Sequence, residues 1–329
     1  MGNSSTTENR EEKEEKEHII PVQLEEHEGY VKIPTDLDIT SKDVLSVLCI
    51  SDTHSQHRHI KFDLPKVDLL IHAGDFTNVG SLDNIVKYDE WIGELIKEQI
   101  CKKAILIAGK TKQKQDTQLE NQSIINTKIG NHDITLDKQY YETFGQARFH
   151  LSKKEDTKEC RKAITNSTYL MDESDKTMGY HILKKCFGGN QKIRYIQTAV
   201  NFKKTKRRQY LWKPLAAREL AKKWAKIPED TDILITHGPP FGHGDTVKRV
   251  HADFGEDKHV GCKDLLVRVK KIKPKFHIFG HIHEGYGVTT RKDDPSTIFI
   301  NASSVTVVYK PENKPILFYI KKNSKEDEE

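Results

Sequence analysis

The sequence lacks long apolar runs and contains few cysteines. None of its apolar runs approaches the roughly 18 residues that a membrane-spanning helix needs, and no apolar segment marks a secretory signal. The five cysteines are odd in number and widely spaced, which favours free thiols in a reducing compartment over a disulfide scaffold. We therefore expect a cytoplasmic protein.

Apolar residues are also scarce. Hydrophobic residues make up 35% of the 329 positions and charged residues 31%, which suffices for a core if the polar residues are concentrated in insertions. This length accommodates one large α/β domain with tails or two small domains. Because the polar motifs described below are spread over residues 52–283, one domain is favoured. We place it at residues 43–320, between a disordered N-terminal tail (1–42) and a charged disordered tail (321–329).

Five apolar runs end in side chains that can bind a metal. The first, Val44–Ile50, is rich in β-branched residues and has the length of a strand that is covered on both faces. Asp52 and His54 follow it directly, at the sheet edge where open α/β sheets place their ligands. The other four endings are, in chain order, Gly74-Asp75, Gly130-Asn131-His132-Asp133, Thr236-His237-Gly238 and Gly280-His281-Ile282-His283.

None of these endings contributes a sulfur atom. Asp and Asn oxygens and His nitrogens suit Mn, Fe, Zn or Mg, whereas a structural zinc site would use thiolates. A single Asp-x-His is more typical of a surface loop, and a single histidine is more often a hydrogen-bonded core or loop residue. Five such endings in order predict a metal site.

The ordered set D-x-H, G-D, G-N-H-D, T-H-G and G-H-x-H resembles that of the calcineurin-like metallophosphoesterases, over residues from about Val44 to Tyr319. The phrases I-S-D-T-H-S, I-H-A-G-D-F-T, T-H-G-P-P, G-H-I-H-E-G-Y-G and I-N-A-S are most similar to those of the metallophosphoesterase-domain-containing proteins. That group in turn resembles class III cyclic-nucleotide phosphodiesterases. The resemblance implies an α/β fold, a four-layer α/β/β/α sandwich, and a metal-dependent phosphoric ester hydrolase.

The resemblance also implies a site and its residues. It implies two divalent metal ions, with manganese favoured over iron, zinc and magnesium, and a hydroxide between them that attacks phosphorus. Asp75 is expected to bridge the ions, His132 to donate a proton to the leaving oxygen and Asp133 to orient His132. The expected metal ligands are Asp52, His54, Asp75 and His283 for one ion, and Asp75, Asn131, His237 and His281 for the other.

We expect a phosphodiesterase whose substrate is a nucleoside 2′,3′- or 3′,5′-cyclic monophosphate. Two alternatives stay open: a broad phosphomonoesterase or nuclease, and a metal- or nucleotide-binding scaffold that hydrolyses slowly. The family usually has a Gly-Ser-Pro-Trp phrase that shapes the substrate side, and this sequence lacks it. The sequence therefore predicts the metal site more closely than the substrate.

Two polar segments interrupt the family pattern. Removing residues 109–129 restores the phrase I-A-G-N-H-D, so residues 110–129 are a surface insertion or a translated intron. Residues 184–213 contain ten lysines and arginines and no acid. Such a basic run can bind nucleic acid, but no aromatic pattern accompanies it, so we expect a solvated insertion. The rest of the chain is net acidic.

The N-terminus fits a lipidation signal. It begins Met1-Gly2-Asn3-Ser4-Ser5-Thr6, which matches the N-myristoylation pattern M-G-x-x-x-[ST]; an unmodified polar start is the alternative. A single myristoyl chain binds membranes weakly, and the acidic residues 11–17 and the lack of a nearby cysteine provide no second anchor. Membrane association through this group would be peripheral and reversible.

Two helices are expected within the domain. Residues 81–98 carry apolar side chains at helical spacing, among them Trp91, Leu95 and Ile96, which predicts a helix packed on the core. A second helix is expected around residues 215–224. His57 and His59 lie in a polar loop after the first motif, where either could face the substrate; we expect solvated loop histidines.

Overall fold

The computed structural model describes residues 18–60, 62–109, 132–170, 193–196, 221–222, 224–247 and 258–322. The strands in these ranges are β1 (Ile19–Pro21), β2 (Glu25–Glu26), β3 (Val31–Lys32), β4 (Val44–Ile50), β5 (Val67–His72), β6 (Cys101–Ile107), β7 (Thr168–Leu170), β8 (Ile193–Ile196), β9 (Ile233–Thr236), β10 (Thr246–Val247), β11 (Lys258–His259), β12 (Phe276–Phe279), β13 (Gly287–Arg291), β14 (Ile298–Asn301) and β15 (Ile316–Lys321). The helices are α1 (Leu82–Lys97), α2 (Lys138–Tyr140), α3 (Gln146–Phe149), α4 (Thr157–Lys162) and α5 (Lys263–Ile272), and a π-helical turn (Tyr141–Gly145) joins α2 to α3.

The strands form two large sheets and one ribbon. The seven-stranded sheet has the order β2-β3-β15-β4-β5-β6-β7, in which β4 to β7 run parallel. The six-stranded sheet has the order β1-β13-β14-β12-β9-β8, in which β14, β12, β9 and β8 run parallel. The ribbon consists of β10 and β11. Parallel strands bring their carboxyl ends to one edge of each sheet.

The two sheets pack face to face, and helices cover their outer faces. Along β4, Val47 and Cys49 point into the core shared by both sheets, whereas Leu48 and Ile50 pack with α1 on the opposite side. Leu265 of α5 packs on the outer face of the six-stranded sheet. These layers confirm the four-layer α/β/β/α sandwich expected from the sequence.

Helix α1 is defined by its N-cap and its apolar face. The Ser81 hydroxyl accepts a hydrogen bond from the Asn84 N–H at 3.3 Å, which satisfies one of the free donors of the first turn. Trp91 and Leu95 are buried in the cluster between the helix and the sheet, and Ile96 packs against the same cluster. The helix therefore begins one residue after the predicted bound and ends one residue before it.

Two local predictions are wrong. Residues 18–42 do not form a disordered tail, because β1 pairs with β13 and β3 pairs with β15 at the margins of the two sheets. These strands have two or three residues each, which is too short for an apolar period to stand out among charged neighbours. His57 is buried rather than solvated, since a 3₁₀ turn places its ring against Tyr88 and Trp91 of α1. His59 is exposed, as expected.

Several expectations fall outside the described residues. These include residues 1–17 and 323–329, the insertion at 110–129, most of 184–213 and most of the helix expected around 215–224. The four cysteines in the described ranges are buried and unpaired. Among the described helices, none has the length and apolar character needed to cross a membrane.

Candidate metal centre

The carboxyl ends of strands from both sheets meet at one site. β4 leads to Asp52 and β5 to Asp75, whereas β9 leads to His237 and β12 to His281 in the other sheet. The N–H of His281 donates to Oδ2 of Asp52 at 2.8 Å, so the two sheet edges are joined directly. Asn131, the remaining expected ligand, lies outside the described residues. The predicted ligands that come together here are Asp52, His54, Asp75, His237, His281 and His283.

Their nitrogen and oxygen atoms converge in three groups. Within each group the potential ligand atoms all lie within 4.8 Å of one another. Asp75 belongs to two of the groups, so its carboxylate lies between them. The groups are Asp52-His54-His283, Asp75-His237-His281 and His54-Asp75-His132.

Four of these residues have a left-handed backbone conformation. The φ angle is 52° at Asp52, 43° at His54, 54° at Asp75 and 70° at His281. This conformation costs a non-glycine residue roughly 1–3 kcal/mol and persists where the surrounding structure enforces it. Here the N–H of Asp52 donates to the Gly74 carbonyl at 2.9 Å, and the N–H of His54 donates to the Asp75 carbonyl at 3.0 Å. Strain concentrated on the converging residues is typical of a functional site.

Two glycines make room for the carboxylates. A Cβ atom at Gly280 would overlap Oδ2 of Asp52, and one at Gly109 would overlap Oδ1 of Asp75. Any side chain at these positions would therefore displace a carboxylate from the site. This close approach explains why a glycine precedes the polar residues of the G-H-x-H motif and follows the strand β6.

Asp52 is held through one carboxylate oxygen, and the other has no hydrogen bond. Oδ2 accepts from the His281 N–H and, at 3.1 Å, from the Ser303 hydroxyl. Oδ1 is buried without a hydrogen-bond partner, at 3.5 Å from Nε2 of His283 and 3.9 Å from Nε2 of His54. Those two nitrogens are 3.3 Å apart. A buried carboxylate oxygen without a donor is unfavourable, and a cation at this point would remove the penalty.

Backbone carbonyls set the orientation of two histidine rings. Nδ1 of His237 donates to the Ala73 carbonyl at 2.9 Å, and Nδ1 of His283 donates to the Thr306 carbonyl at 3.2 Å. Because a carbonyl only accepts, the neutral rings carry their proton on Nδ1 and offer the Nε2 lone pair to the site. Hydrogen bonds of this kind orient the imidazoles of metal sites.

The buried charges favour a cation between the two sheets. Burial opposes ionisation of Asp75, but His237 and His132 hold its pKa well below the usual range. Burial lowers the pKa of His237, and the Asp75 carboxylate, with Oδ2 at 3.2 Å from Nε2, outweighs this and raises it to about 10. A proton on His237 and a divalent cation would therefore compete for the same position.

His132 lies at the rim of this centre. Its Nδ1 is hydrogen-bonded to the Asn78 carbonyl, and its ring meets the ring of His54 edge-on with centroids 4.2 Å apart. The side chain is partly exposed, so the ring can be approached from outside. Since Nδ1 donates to a carbonyl, Nε2 carries a proton only when the ring is charged, and proton donation from Nε2 requires the imidazolium form.

Asp133 does not orient the His132 ring, and that prediction is wrong. Oδ1 of Asp133 accepts from the N–H and the hydroxyl of Thr77 at 2.9 and 2.8 Å, and Oδ2 accepts from the Gly109 N–H at 2.9 Å. Burial, with a smaller effect of Asp75, raises the pKa of this carboxyl to about 7. Asp133 therefore ties the loop after β5 to the end of β6, and the Asn78 carbonyl holds the His132 ring instead.

Three contacts at the centre were not predicted from the sequence. The Ser303 hydroxyl binds Asp52, the Thr306 carbonyl binds His283, and the ring of Tyr309 lies 4.8 Å from that of His54. The phrase I-N-A-S gave a partial signal for Ser303, because it also ends a strand at this edge. A backbone carbonyl and a tyrosine in a distant loop leave no comparable pattern.

The converging groups offer oxygen and nitrogen donors and no sulfur. Two of their buried atoms, Oδ1 of Asp52 and Nε2 of His237, have no hydrogen-bond partner. These features support a dinuclear divalent metal site. Comparison with known proteins agrees: residues 45–285 match the family model described as calcineurin-like phosphoesterase. The chain is 33% identical over 277 residues to metallophosphoesterase domain-containing protein 1 of Homo sapiens and of Mus musculus, covering 82% of this chain and 69% of each relative. It is 32% identical over 280 residues to a UPF0046 protein of Caenorhabditis elegans, covering 85% of this chain and 77% of that protein. The chain therefore belongs to the calcineurin-like phosphoesterase family.

Proposed function

We propose that the protein is a dinuclear-metal phosphodiesterase that hydrolyses nucleoside 2′,3′- or 3′,5′-cyclic monophosphates, with manganese as the favoured metal. The position of Asp75 carries this proposal. Its Oδ2 lies 3.2 Å from Nε2 of His237, and its carboxylate also belongs to the donor group that contains His54. A carboxylate shared in this way between two donor groups can bridge ions about 3.5–4 Å apart.

The converging side chains divide between two cations. Asp52, His54 and His283 would hold one cation together with Asp75. His237 and His281 would hold the other, with Asn131 as a further ligand expected from the sequence. Bound there, two divalent cations would supply Lewis acidity to a phosphoryl group and activate water. Oxygen and nitrogen ligands suit manganese, whereas soft thiolate ligands do not.

His132 is the proposed proton donor to the leaving oxygen. Its ring is fixed by Asn78, lies against His54 and remains partly exposed at the rim, where a substrate oxygen can reach it. A positioned acid of this kind contributes about 10²–10⁴-fold to rate.

The substrate class is supported by the local phrases around the motifs. Asp52 lies in I-S-D-T-H-S and His237 in T-H-G-P-P, and both phrases are similar to those of proteins that resemble class III cyclic-nucleotide phosphodiesterases.

One assay series tests the proposal. Protein stripped of metal is reloaded with Mn, Fe, Zn or Mg, its metal content is measured, and turnover is followed with 2′,3′- and 3′,5′-cyclic AMP, a nucleoside monophosphate and linear RNA. We expect two ions per chain and the highest kcat/KM for a cyclic nucleotide with manganese. Faster turnover of the monophosphate or of RNA would instead identify a phosphomonoesterase or nuclease, and two bound ions without turnover would identify a scaffold.

We also propose that Gly2 is N-myristoylated and that the protein associates weakly with membranes from the cytoplasm. The sequence Met1-Gly2-Asn3-Ser4-Ser5-Thr6 supports this proposal. The mass of the N-terminal peptide from eukaryotic cells tests it, with Gly2→Ala as the control. An unmodified N-terminal peptide would rule it out.

A further inference from the structure

The loop between β14 and β15 contains a tight, strained turn beside the metal centre. The Tyr309 N–H donates to the Thr306 carbonyl, and the Thr306 N–H donates to the Lys310 carbonyl, both at 2.8 Å. Tyr309 has a φ of 60°, which is unfavourable for a residue with a side chain. We name residues 306–310 the site turn.

Hydrogen bonds fix the site turn to the metal centre. The Thr306 carbonyl accepts from Nδ1 of His283 at 3.2 Å, and the Tyr309 carbonyl accepts from the Gln56 side chain at 2.6 Å. Nδ2 of Asn313 donates to the Ser303 carbonyl at 2.9 Å and braces the start of the loop. The turn is therefore held in one position relative to the histidines.

The site turn presents apolar surface next to this polar centre. The half-buried ring of Tyr309 packs edge-on against His54 and His283, with centroid distances of 4.8 and 5.2 Å. At the tip, Val307 is 54% exposed and Val308 is 68% exposed. Within the described ranges, no other two adjacent large apolar residues are both exposed. Exposed valines do not stabilise the fold, so two of them directly before Tyr309 in the same turn point to binding.

We propose that Tyr309, with Val307 and Val308, binds the planar aromatic group of the phosphoester substrate while the phosphate lies at the metal centre. This inference rests on the proposed function and deepens it, because it names the residues that recognise the organic part of the substrate. The ring of Tyr309 touches His54 and His283, so a group attached to a phosphate held there lies within reach of the turn. Any nucleobase can stack on a tyrosine ring and pack on apolar side chains, because these contacts do not depend on the hydrogen-bonding groups of the base.

The proposal predicts a selectivity that can be measured by binding alone. Calorimetry on the manganese-loaded protein compares adenosine 5′-monophosphate with methyl phosphate, which share a phosphate monoester and differ in the nucleoside. We expect the nucleotide to bind about 10- to 100-fold more tightly to the unmodified protein, the range typical of one stacked base. Tyr309→Ala should bring the ratio of the two Kd values close to one, whereas Tyr309→Phe should preserve it.

A second pair of variants keeps the test independent of the metal ligands. The double variant Val307→Thr/Val308→Thr retains side-chain shape, does not alter the ring against His54, and should reduce the ratio. Val267→Thr is the matched control, since this valine is 69% exposed on α5. Equal Kd values for both ligands in the unmodified protein would overturn the proposal. So would an unchanged ratio in Tyr309→Ala, including the case in which both ligands weaken together.

Turnover separates this proposal from the function on which it rests. The same proteins are assayed with bis(p-nitrophenyl) phosphate and methyl p-nitrophenyl phosphate, which share a leaving group and differ in the group that is retained. We expect the preference in kcat/KM for the aryl diester to follow the ratio of Kd values across the variants. If no diester is hydrolysed while the binding selectivity depends on Tyr309, the proposed phosphodiesterase function fails and the assignment of the site turn stands.

Discussion

Asp75 and His237 come from different sheets, and their side chains meet with Oδ2 of the carboxylate 3.2 Å from Nε2 of the imidazole. The Ala73 carbonyl, two residues before Asp75, also accepts the Nδ1 proton of His237 at 2.9 Å. The end of β5 therefore both orients the ring and supplies the charge in front of it. This arrangement makes Asp75 the residue on which the metal assignment depends most.

Asp75→Asn should abolish hydrolysis and reduce the metal content below one ion per chain. A neutral amide has one oxygen and no charge, so it bridges two cations poorly. Metal analysis and turnover measure the effect. Asp68→Asn is the control, because Asp68 lies on the same strand but binds Ser46 and Lys102 away from the centre. Two bound ions and full activity in Asp75→Asn would contradict the dinuclear assignment.

His132→Ala should lower kcat by about 10²–10⁴-fold for esters with poor leaving groups and leave metal content unchanged. An activated aryl ester should be affected much less, because its leaving oxygen needs little protonation. His59→Ala, at an exposed loop position, is the control. The structure also supplies a competing outcome, since His132 is part of a donor group with His54 and Asp75. Loss of metal in His132→Ala would make it a ligand rather than the acid.

Gly280→Ala should weaken metal binding, because the added Cβ overlaps Oδ2 of Asp52 and Oγ of Ser51. Overpacking at a rigid site also costs about 1–3 kcal/mol of folding free energy. Metal affinity and thermal unfolding measure the two effects. Gly287→Ala separates sterics from backbone strain, since its φ is 133° and a Cβ there meets nothing within 4 Å. It should lose stability and keep metal affinity; equal loss of metal in both variants would contradict the steric argument.

Stability should fall as the pH drops from about 6.5 towards 3, and His277 should contribute to this slope. Burial, with a smaller effect of His243, lowers the pKa of His277 to about 3, against about 6.5 in an unfolded chain. Between these values the unfolded chain binds the extra proton, so acid favours unfolding by up to about 1.4 kcal/mol per pH unit. His277→Gln keeps a donor for Thr236 and should flatten the slope of unfolding free energy against pH. An unchanged slope would mean that His277 is already charged in the folded protein.

Joining Gly109 directly to Asn131 should raise both the melting temperature and the affinity for metal. The Gly109 N–H donates to Oδ2 of Asp133 at 2.9 Å, so the chain leaves and returns at nearly the same point. Loop entropy grows slowly with length, but a catalytic group displaced by about 1 Å can lose a hundredfold in rate. Thermal unfolding, metal titration and kcat measure the result. Higher KM with unchanged metal affinity would instead show that residues 110–130 form a substrate loop, and unfolding would show that the domain needs them.

The sequence predicted best what a continuous apolar run can specify. Val44–Ile50 is a strand with the predicted bounds, and α1 differs by one residue at each end. The convergence of Asp52, Asp75 and His237 follows from the same logic, because each residue lies just beyond a buried parallel strand. The strand and the helix depend on local sequence patterns, and the convergence depends on parallel strands that end at the same edge of a sheet.

Contacts between loops could not be predicted in this way. Asp133 follows His132 directly, yet its carboxylate turns to Thr77 and Gly109, which are distant in sequence. Ser303 and Tyr309 reach the centre through a loop whose shape depends on tertiary hydrogen bonds. Neighbours in sequence are poor guides to such partners, since tertiary hydrogen bonds decide where each side chain points.

The N-terminal strands have a practical consequence for where the domain can be cut. β1 is the edge strand that pairs with β13 in one sheet, and β3 pairs with β15 near the edge of the other sheet. A protein shortened to begin at residue 43 would leave both neighbouring strands with unsatisfied N–H and C=O groups along an open side. Exposed edge strands can pair with other copies of the same chain. A shortened protein that aggregates would therefore reveal missing strands rather than an unstable metal centre, and a protein that begins at residue 18 retains both strands.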